Sequence, residues 1–93
     1  MPAKVTVHIP GPLRGLVDQQ SRLQLAGGTV GEVLHALVEQ HPKLHGRLLD
    51  DEGRLNRFLN VFVNNEDIRF LSHLDTPVKE ADGIMIVPAV AGG

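Results

Sequence analysis

Polar and apolar residues alternate from Lys4 to Ile9, which sets Val5, Val7 and Ile9 on one face of an extended segment before Pro10-Gly11-Pro12 stops it. After a loop, a second alternation from Ser21 to Leu25 turns Leu23 and Leu25 the same way and ends at Ala26-Gly27-Gly28. Together the two segments predict an antiparallel hairpin. Thr29, with Glu32 three residues on, then forms a capping-box pattern, and Val30, Val33, Leu34, Leu37 and Val38 recur behind it at helical spacing. Pro42 closes this helix. Glu32, His35, Glu39 and Gln40 occupy its other face, so the helix is expected to lie across a sheet with one stripe buried and the other wet.

In the second half, Leu44 to Leu49 predicts a short helical turn, and Asp50-Asp51-Glu52-Gly53 a polar loop. Arg57 to Asn64 reads as a strand with Leu59, Val61 and Val63 on one face and Phe58, Asn60 and Phe62 on the other. Asn64-Asn65-Glu66-Asp67 has turn chemistry, leading to a short strand over Ile68-Arg69-Phe70 and a second hairpin. Asp82-Gly83 introduces Ile84-Met85-Ile86-Val87, an apolar run of the kind buried at the centre of a sheet, and Pro88 ends its pairing. Ala89 to Gly93 carries small uncharged residues without helix or strand signal, so a mobile tail is expected there. The order is that of an α+β domain over 1–88, followed by a flexible diglycine tail over 89–93. One main helix on one face of a mixed sheet of about five strands, first and last strands adjacent, covers every apolar face. That arrangement is the ubiquitin-like β-grasp.

Composition narrows the chemistry. With 93 residues there is material for one hydrophobic core. The apolar runs are short, and Met1-Pro2-Ala3-Lys4 leads directly into a strand pattern, so a cytoplasmic protein without a membrane segment is expected. The sequence has no cysteine, which removes disulfides, thiolate metal sites and side-chain persulfides. If such a chain carries sulfur, a terminus must hold it. Net charge is −2, the Lys and Arg residues are spread along the chain, and the only aromatics are three Phe, which speaks against nucleic-acid binding.

The tail is the strongest single motif. At an average glycine usage of about 7%, a terminal Gly-Gly arises by chance in roughly 0.5% of chains, and in about twice that at this glycine content. Joined to the β-grasp pattern, Val87-Pro88-Ala89-Val90-Ala91-Gly92-Gly93 resembles the tails of the ubiquitin-like sulfur-carrier family. That family includes the small subunit of molybdopterin synthase, the thiamine sulfur carrier, and the carrier of actinobacterial cysteine synthesis. The resemblance covers nearly the whole chain and is strongest from Arg57 to Gly93, where the run from Arg57 to Phe70 looks most like the cysteine-synthesis carrier.

This resemblance implies a chemistry. A ubiquitin-activating-type enzyme would join the Gly93 carboxylate to AMP using Mg-ATP, a sulfur donor would convert it to a thiocarboxylate, and the carrier would deliver the sulfur to an acceptor. The acceptor it favours is a pyridoxal-phosphate cysteine synthase, with a metalloprotease trimming the adduct. The chain would be a substrate of enzymes that holds no cofactor of its own. A carboxylate needs a good leaving group before it can be attacked, and the mixed anhydride with AMP supplies one. Gly92 and Gly93 let the backbone enter a channel too narrow for a Cβ, while Ala89, Val90 and Ala91 add modest apolar contact. If the helix covers the face bearing Val61, Val63, Ile84 and Ile86, then Phe62, Met85 and Val87 lie opposite and form a candidate docking patch; its alternative is ordinary scattered exposure. Three other functional readings stand beside the carrier: the small subunit of molybdopterin synthase, a ubiquitin-like modifier joined to proteins through Gly93, and a β-grasp binding module that never uses its tail.

Remaining signals are weaker. His41 and His45 stand four apart, but Pro42 breaks the helix between them and no third ligand follows, so no metal site is expected. Asp50-Asp51-Glu52 and Glu66-Asp67 read as solvated turns. Gly27-Gly28 with Gly31 lacks the lysine of a phosphate loop and reads as a strand-to-helix turn.

Overall fold

A computed structural model describes residues 3–88. Among these, β1 (Ala3–His8) and β2 (Arg22–Gly27) pair antiparallel, with Val5 opposite Leu25 and Val7 opposite Leu23. The connection holds more order than the sequence suggests. Pro12 opens a one-turn helix, α1 (Gly11–Arg14), and the turn carries Leu13 and Val17 into the core, Val17 at 0% exposure. Proline stops β1 because it cannot donate to the ladder, yet its fixed φ suits the first turn of a helix.

The main helix, α2 (Val30–Gln40), starts where its cap places it. Thr29 Oγ1 accepts from Glu32 N–H at 3.2 Å, and Glu32 Oε1 reaches back one residue further than a standard capping box to accept from Gly28 N–H at 2.7 Å. Replacing Thr29 by Ala would cost about 1 kcal/mol of helix stability. Gly27 has a separate role: a Cβ there would lie 2.8 Å from Val33 Cγ2 and 3.0 Å from Val33 N, so only glycine lets β2 pass so close to the helix. Val30, Val33, Leu34 and Leu37 are buried, whereas Glu32, His35, Glu39 and Gln40 face solvent. Past α2 the 3-10 turn occupies Pro42–Leu44, earlier than the Leu44–Leu49 expectation, because proline starts it and His45, extended at φ −60° and ψ 129°, ends it. Leu44, Leu48 and Leu49 still seal the end of the core.

β3 (Leu59–Val63) alternates buried and half-buried residues. The hairpin that follows is tighter than expected. Asn64 and Asn65 both take positive φ, +48° and +74°, and form the whole two-residue turn, so β4 is Glu66–Asp67, with Val63 opposite Glu66 and Phe62 opposite Asp67. Ile68–Phe70 is therefore not a strand but a 3-10 turn. Asp67 causes the change: its Oδ1 accepts from Arg69 N–H at 2.8 Å and its Oδ2 from the Arg69 guanidinium at 2.7 Å, which curls the backbone away from β3.

β5 (Gly83–Pro88) lies between β1 and β3, parallel to the first and antiparallel to the second, and the sheet order is β2-β1-β5-β3-β4. Ile84 and Val7 meet across the central parallel pair, each at 0% exposure. With α2 packed on one face, the described residues form the ubiquitin-like β-grasp, and the first and last strands are neighbours as the sequence requires.

Candidate functional site

β5 ends at Pro88 opposite Leu59, so the chain reaches its tail at the end of the sheet where β3 begins and β1 finishes. Ala89, Val90, Ala91, Gly92 and Gly93, expected from sequence to be the working tail, lie outside the described residues. What the structure provides is the root of that tail and the surface around it.

The alternation of β3 and β5 decides which side chains flank the root. Val61, Val63, Ile84 and Ile86 point to the core, so their neighbours in sequence project onto the face opposite α2. Phe62 pairs with Met85 and Asn60 with Val87, which brings the three proposed docking residues onto adjoining positions. Met85 is 43% exposed, while Phe62 and Val87 are half-buried, so the apolar patch is small. Polar residues frame it: His8 stands beside Met85 on β1, and Arg22 beside His8 on β2. The row Arg22, His8, Met85, Phe62 thus crosses four strands on the open face.

Phe58 precedes Leu59 at the root end and is 58% exposed, with the Arg57 guanidinium 5.3 Å from its ring centre. A second feature was missed because Pro10 to Gln20 read as a featureless loop. α1 sets Arg14 beside the root, where its Nε donates to the Ile9 carbonyl at 3.0 Å. The signal for it was there in Pro12 followed by the spacing of Leu13 and Val17.

Other charged groups hold turns. The Arg69 side chain bonded to Asp67, joined by the Arg69 backbone N–H, holds the Asp67 carboxyl below the usual carboxylate range, and in return raises Arg69. Asp82 is lowered first by the side-chain bond from Asn64 and then by the Lys79 N–H. Asp50 is lowered chiefly by the Arg54 backbone N–H. His45 Nε2 lies 3.1 Å from Asp51 Oδ1, and His35 pairs with Glu39 on α2. Among the described residues no group of three or more His, Cys, Asp or Glu is placed to hold a metal, and no helix is long and apolar enough to cross a membrane.

A β-grasp domain whose central last strand delivers the chain to an exposed root defines the class of small ubiquitin-like β-grasp proteins. Within that class the chain belongs to the ThiS family, whose model matches residues 7–93. It is 41% identical over 91 residues to the sulfur carrier protein CysO of Mycobacterium tuberculosis, a match covering 96% of this chain and 98% of that protein. Among solved structures it is similar to the BexX/CysO complex of Amycolatopsis orientalis, at a TM-score of 0.83 and 42% identity over 96% of this chain and 99% of that one. It is likewise similar to the small archaeal modifier protein 1 of Methanosarcina acetivorans, at a TM-score of 0.86 and 31% identity over 100% of this chain and 99% of that one. The resemblance read over nearly the whole chain therefore holds in sequence and in fold.

Proposed function

We propose that this chain is a sulfur carrier that acts in the cytoplasm through the carboxylate of Gly93. The observation that carries the reading is the 41% identity to a sulfur carrier over nearly the full length of both chains, in a family match that continues through residue 93. In the first step the Gly93 carboxylate attacks the α-phosphorus of Mg-ATP held by an activating enzyme, forming the acyl-adenylate and releasing pyrophosphate. A sulfur donor then attacks the acyl carbon and AMP leaves with the bonding electrons, so that Gly93 ends as a thiocarboxylate. The sulfur passes to a biosynthetic acceptor, and the resemblance to the cysteine-synthesis carrier implies which: a pyridoxal-phosphate enzyme on which the thiocarboxylate sulfur bonds to the β-carbon of an activated serine as the activating group leaves, and a metalloprotease that hydrolyses the adduct. In these steps the chain is the substrate, and nucleotide and metal belong to the partner enzyme.

Each residue has a physical part. Gly92 and Gly93 offer a backbone without Cβ atoms to a narrow channel, Ala89, Val90 and Ala91 line the approach, and Phe62, Met85 and Val87 dock the folded body. The likeness to a small archaeal modifier protein favours one second reading, in which activated Gly93 is joined to lysines of other proteins.

Intact mass after incubation with Mg-ATP, an adenylating enzyme and a sulfide source tests the reading. A gain equal to the exchange of one oxygen for sulfur, lost when Gly93 is deleted, is expected. An AMP adduct that never acquires sulfur would move the assignment to the modifier, and an unchanged mass with several such enzymes would overturn activation itself.

A further inference from the structure

The groove at the tail root is lined by arginines and by no carboxylate. Its walls come from the end of β1, α1, the start of β2 and the end of β5, and it encloses about 580 Å³ between His8, Arg14, Arg22, Met85, Val87 and Pro88. None of the residues lining it is acidic, although the whole chain carries a net charge of −2. Three other grooves among the described residues each hold a carboxylate: Asp67 in one, Asp50 in another, Glu32 and Asp75 in the third.

Two arginines, Arg14 and Arg22, lie in this groove. Arg54 pairs with Asp50 and Glu52, and Arg69 with Asp67. Among the described residues, Arg14, Arg22, Arg47 and Arg57 have no carboxylate within ion-pairing distance, and of these Arg57 lines two grooves that hold carboxylates, whereas Arg14 and Arg22 share one that holds none. Arg14 is also oriented, because the bond from its Nε to the Ile9 carbonyl uses one donor and leaves the two terminal nitrogens to point elsewhere. Arg22 sits in register with His8, itself opposite Met85, so the charge adjoins the apolar patch rather than a separate surface.

From this placement we propose that the groove is the electrostatic half of the docking surface, and that Arg14 and Arg22 receive a carboxylate-bearing loop of the activating enzyme. The inference rests on the carrier reading and adds the chemistry of the partner. Because Val87 and Pro88 form one wall, whatever protein takes the tail must also cover this groove. Two guanidiniums without partners would be costly to bury against a neutral or basic surface, and matching acidic groups repay their desolvation. The small apolar patch fixes contact area, while the arginine pair selects the partner and speeds encounter.

The test is adenylation kinetics with a ubiquitin-activating-type enzyme from the same organism, followed as ATP–pyrophosphate exchange against carrier concentration at low and moderate salt. Arg22→Glu, whose side chain is exposed, and the double variant Arg14→Glu/Arg22→Glu are compared with Lys79→Glu, which makes the same charge change at the opposite end of β5. Circular dichroism and melting confirm that each variant is folded. A rise in KM of about three- to tenfold per reversed arginine is expected, with kcat nearly unchanged and a flatter salt dependence, while Lys79→Glu behaves as wild type. Equal KM and salt dependence for wild type and both arginine variants would overturn the proposal and leave the carrier reading intact. Failure of the wild-type chain to support exchange with such enzymes would overturn both. Sedimentation showing a wild-type dimer that Arg22→Glu dissociates would instead assign the groove to a second copy of this chain.

Discussion

Asn64 and Asp82 are bonded side chain to side chain at the end of the sheet opposite the tail root, Asn64 Nδ2 donating to Asp82 Oδ1 at 3.0 Å. Asn64 Oδ1 accepts from Gly83 N–H at 2.9 Å in the same clasp, so one residue ties the β3–β4 turn to the start of the central strand that ends in the tail. The residue does this from a left-handed conformation, φ +48°. Asn64→Ala removes both bonds and keeps the strained backbone, and should lower stability by about 2 kcal/mol. Asn64→Gly removes the bonds but relieves the strain, so its loss should be smaller than that of alanine by up to about 1 kcal/mol. Urea unfolding of the three proteins measures both quantities. Equal losses would show that the conformation at Asn64 carries no strain.

The same clasp sets part of the acid stability. Asp82, Asp67 and Asp50 all have carboxyls below the usual range, through the Asn64 side chain, the Arg69 side chain and the Arg54 backbone N–H respectively. A folded pKa below the unfolded value of about 3.9 means that each group contributes stability fully present above that value and lost as pH falls through the folded pKa. Stability should therefore hold level down to about pH 5 and fall steeply below about pH 4. Asp67→Asn should be less stable than wild type at neutral pH and show a shallower fall in acid. Urea midpoints taken through the acid range test this, and parallel curves would remove Asp67 from the account.

Most of the fold was legible because the buried positions follow strict periods. Val5, Val7 and Ile9, then Val61 and Val63, repeat every second residue, while Val30, Val33, Leu34 and Leu37 repeat at helical spacing; the sheet and α2 fall where those periods place them. What failed to show depended on side-chain bonds that have no period. Nothing in the spacing of Ile68-Arg69-Phe70 reveals that Asp67 would bond both to the Arg69 backbone and to its guanidinium, so a strand was expected where a turn forms. Likewise α1 spans a single turn, so Pro12 and the spacing of Leu13 and Val17 mark the turn itself but nothing marks the Arg14 it positions as part of a site. Phe62 and Met85 were placed correctly because they depend only on strand alternation across β3 and β5. The tail's role was read from Gly92 and Gly93 by resemblance and not by any rule of local structure.

The open face offers a direct test of docking. Met85 is exposed in the free domain, so replacing it with Asp leaves the core intact and should change stability by no more than about 0.5 kcal/mol. At an interface the same change buries a charge against an apolar partner surface and should raise the KM for adenylation by about tenfold or more. Phe62→Ala, which truncates the half-buried neighbour opposite Met85, should act in the same direction. Wild-type KM in both variants would place the docking surface elsewhere on the domain.

Gly92→Ala separates the tail's chemistry from the fold. One methyl is added at a position beyond β5, so the melting temperature should stay within about 1 °C of wild type. In the proposed carrier reaction an activating enzyme has to bring the Gly93 carboxylate into line with the α-phosphorus of ATP, and displacement of reacting atoms by about 1 Å can cost on the order of 100-fold in rate. A Cβ at position 92 either meets the channel wall or forbids the backbone torsions that glycine allows, so a loss of that order in adenylation is expected with docking unchanged. The two effects divide in the kinetics: the alanine variant should still bind and inhibit adenylation of wild-type carrier at a concentration near the wild-type KM, while forming little adenylate itself. Deletion of Gly93 should give the same competitive behaviour with no adenylate at all. If Gly92→Ala is thiocarboxylated at the wild-type rate, the channel tolerates a side chain there and Gly92 has no steric role in activation.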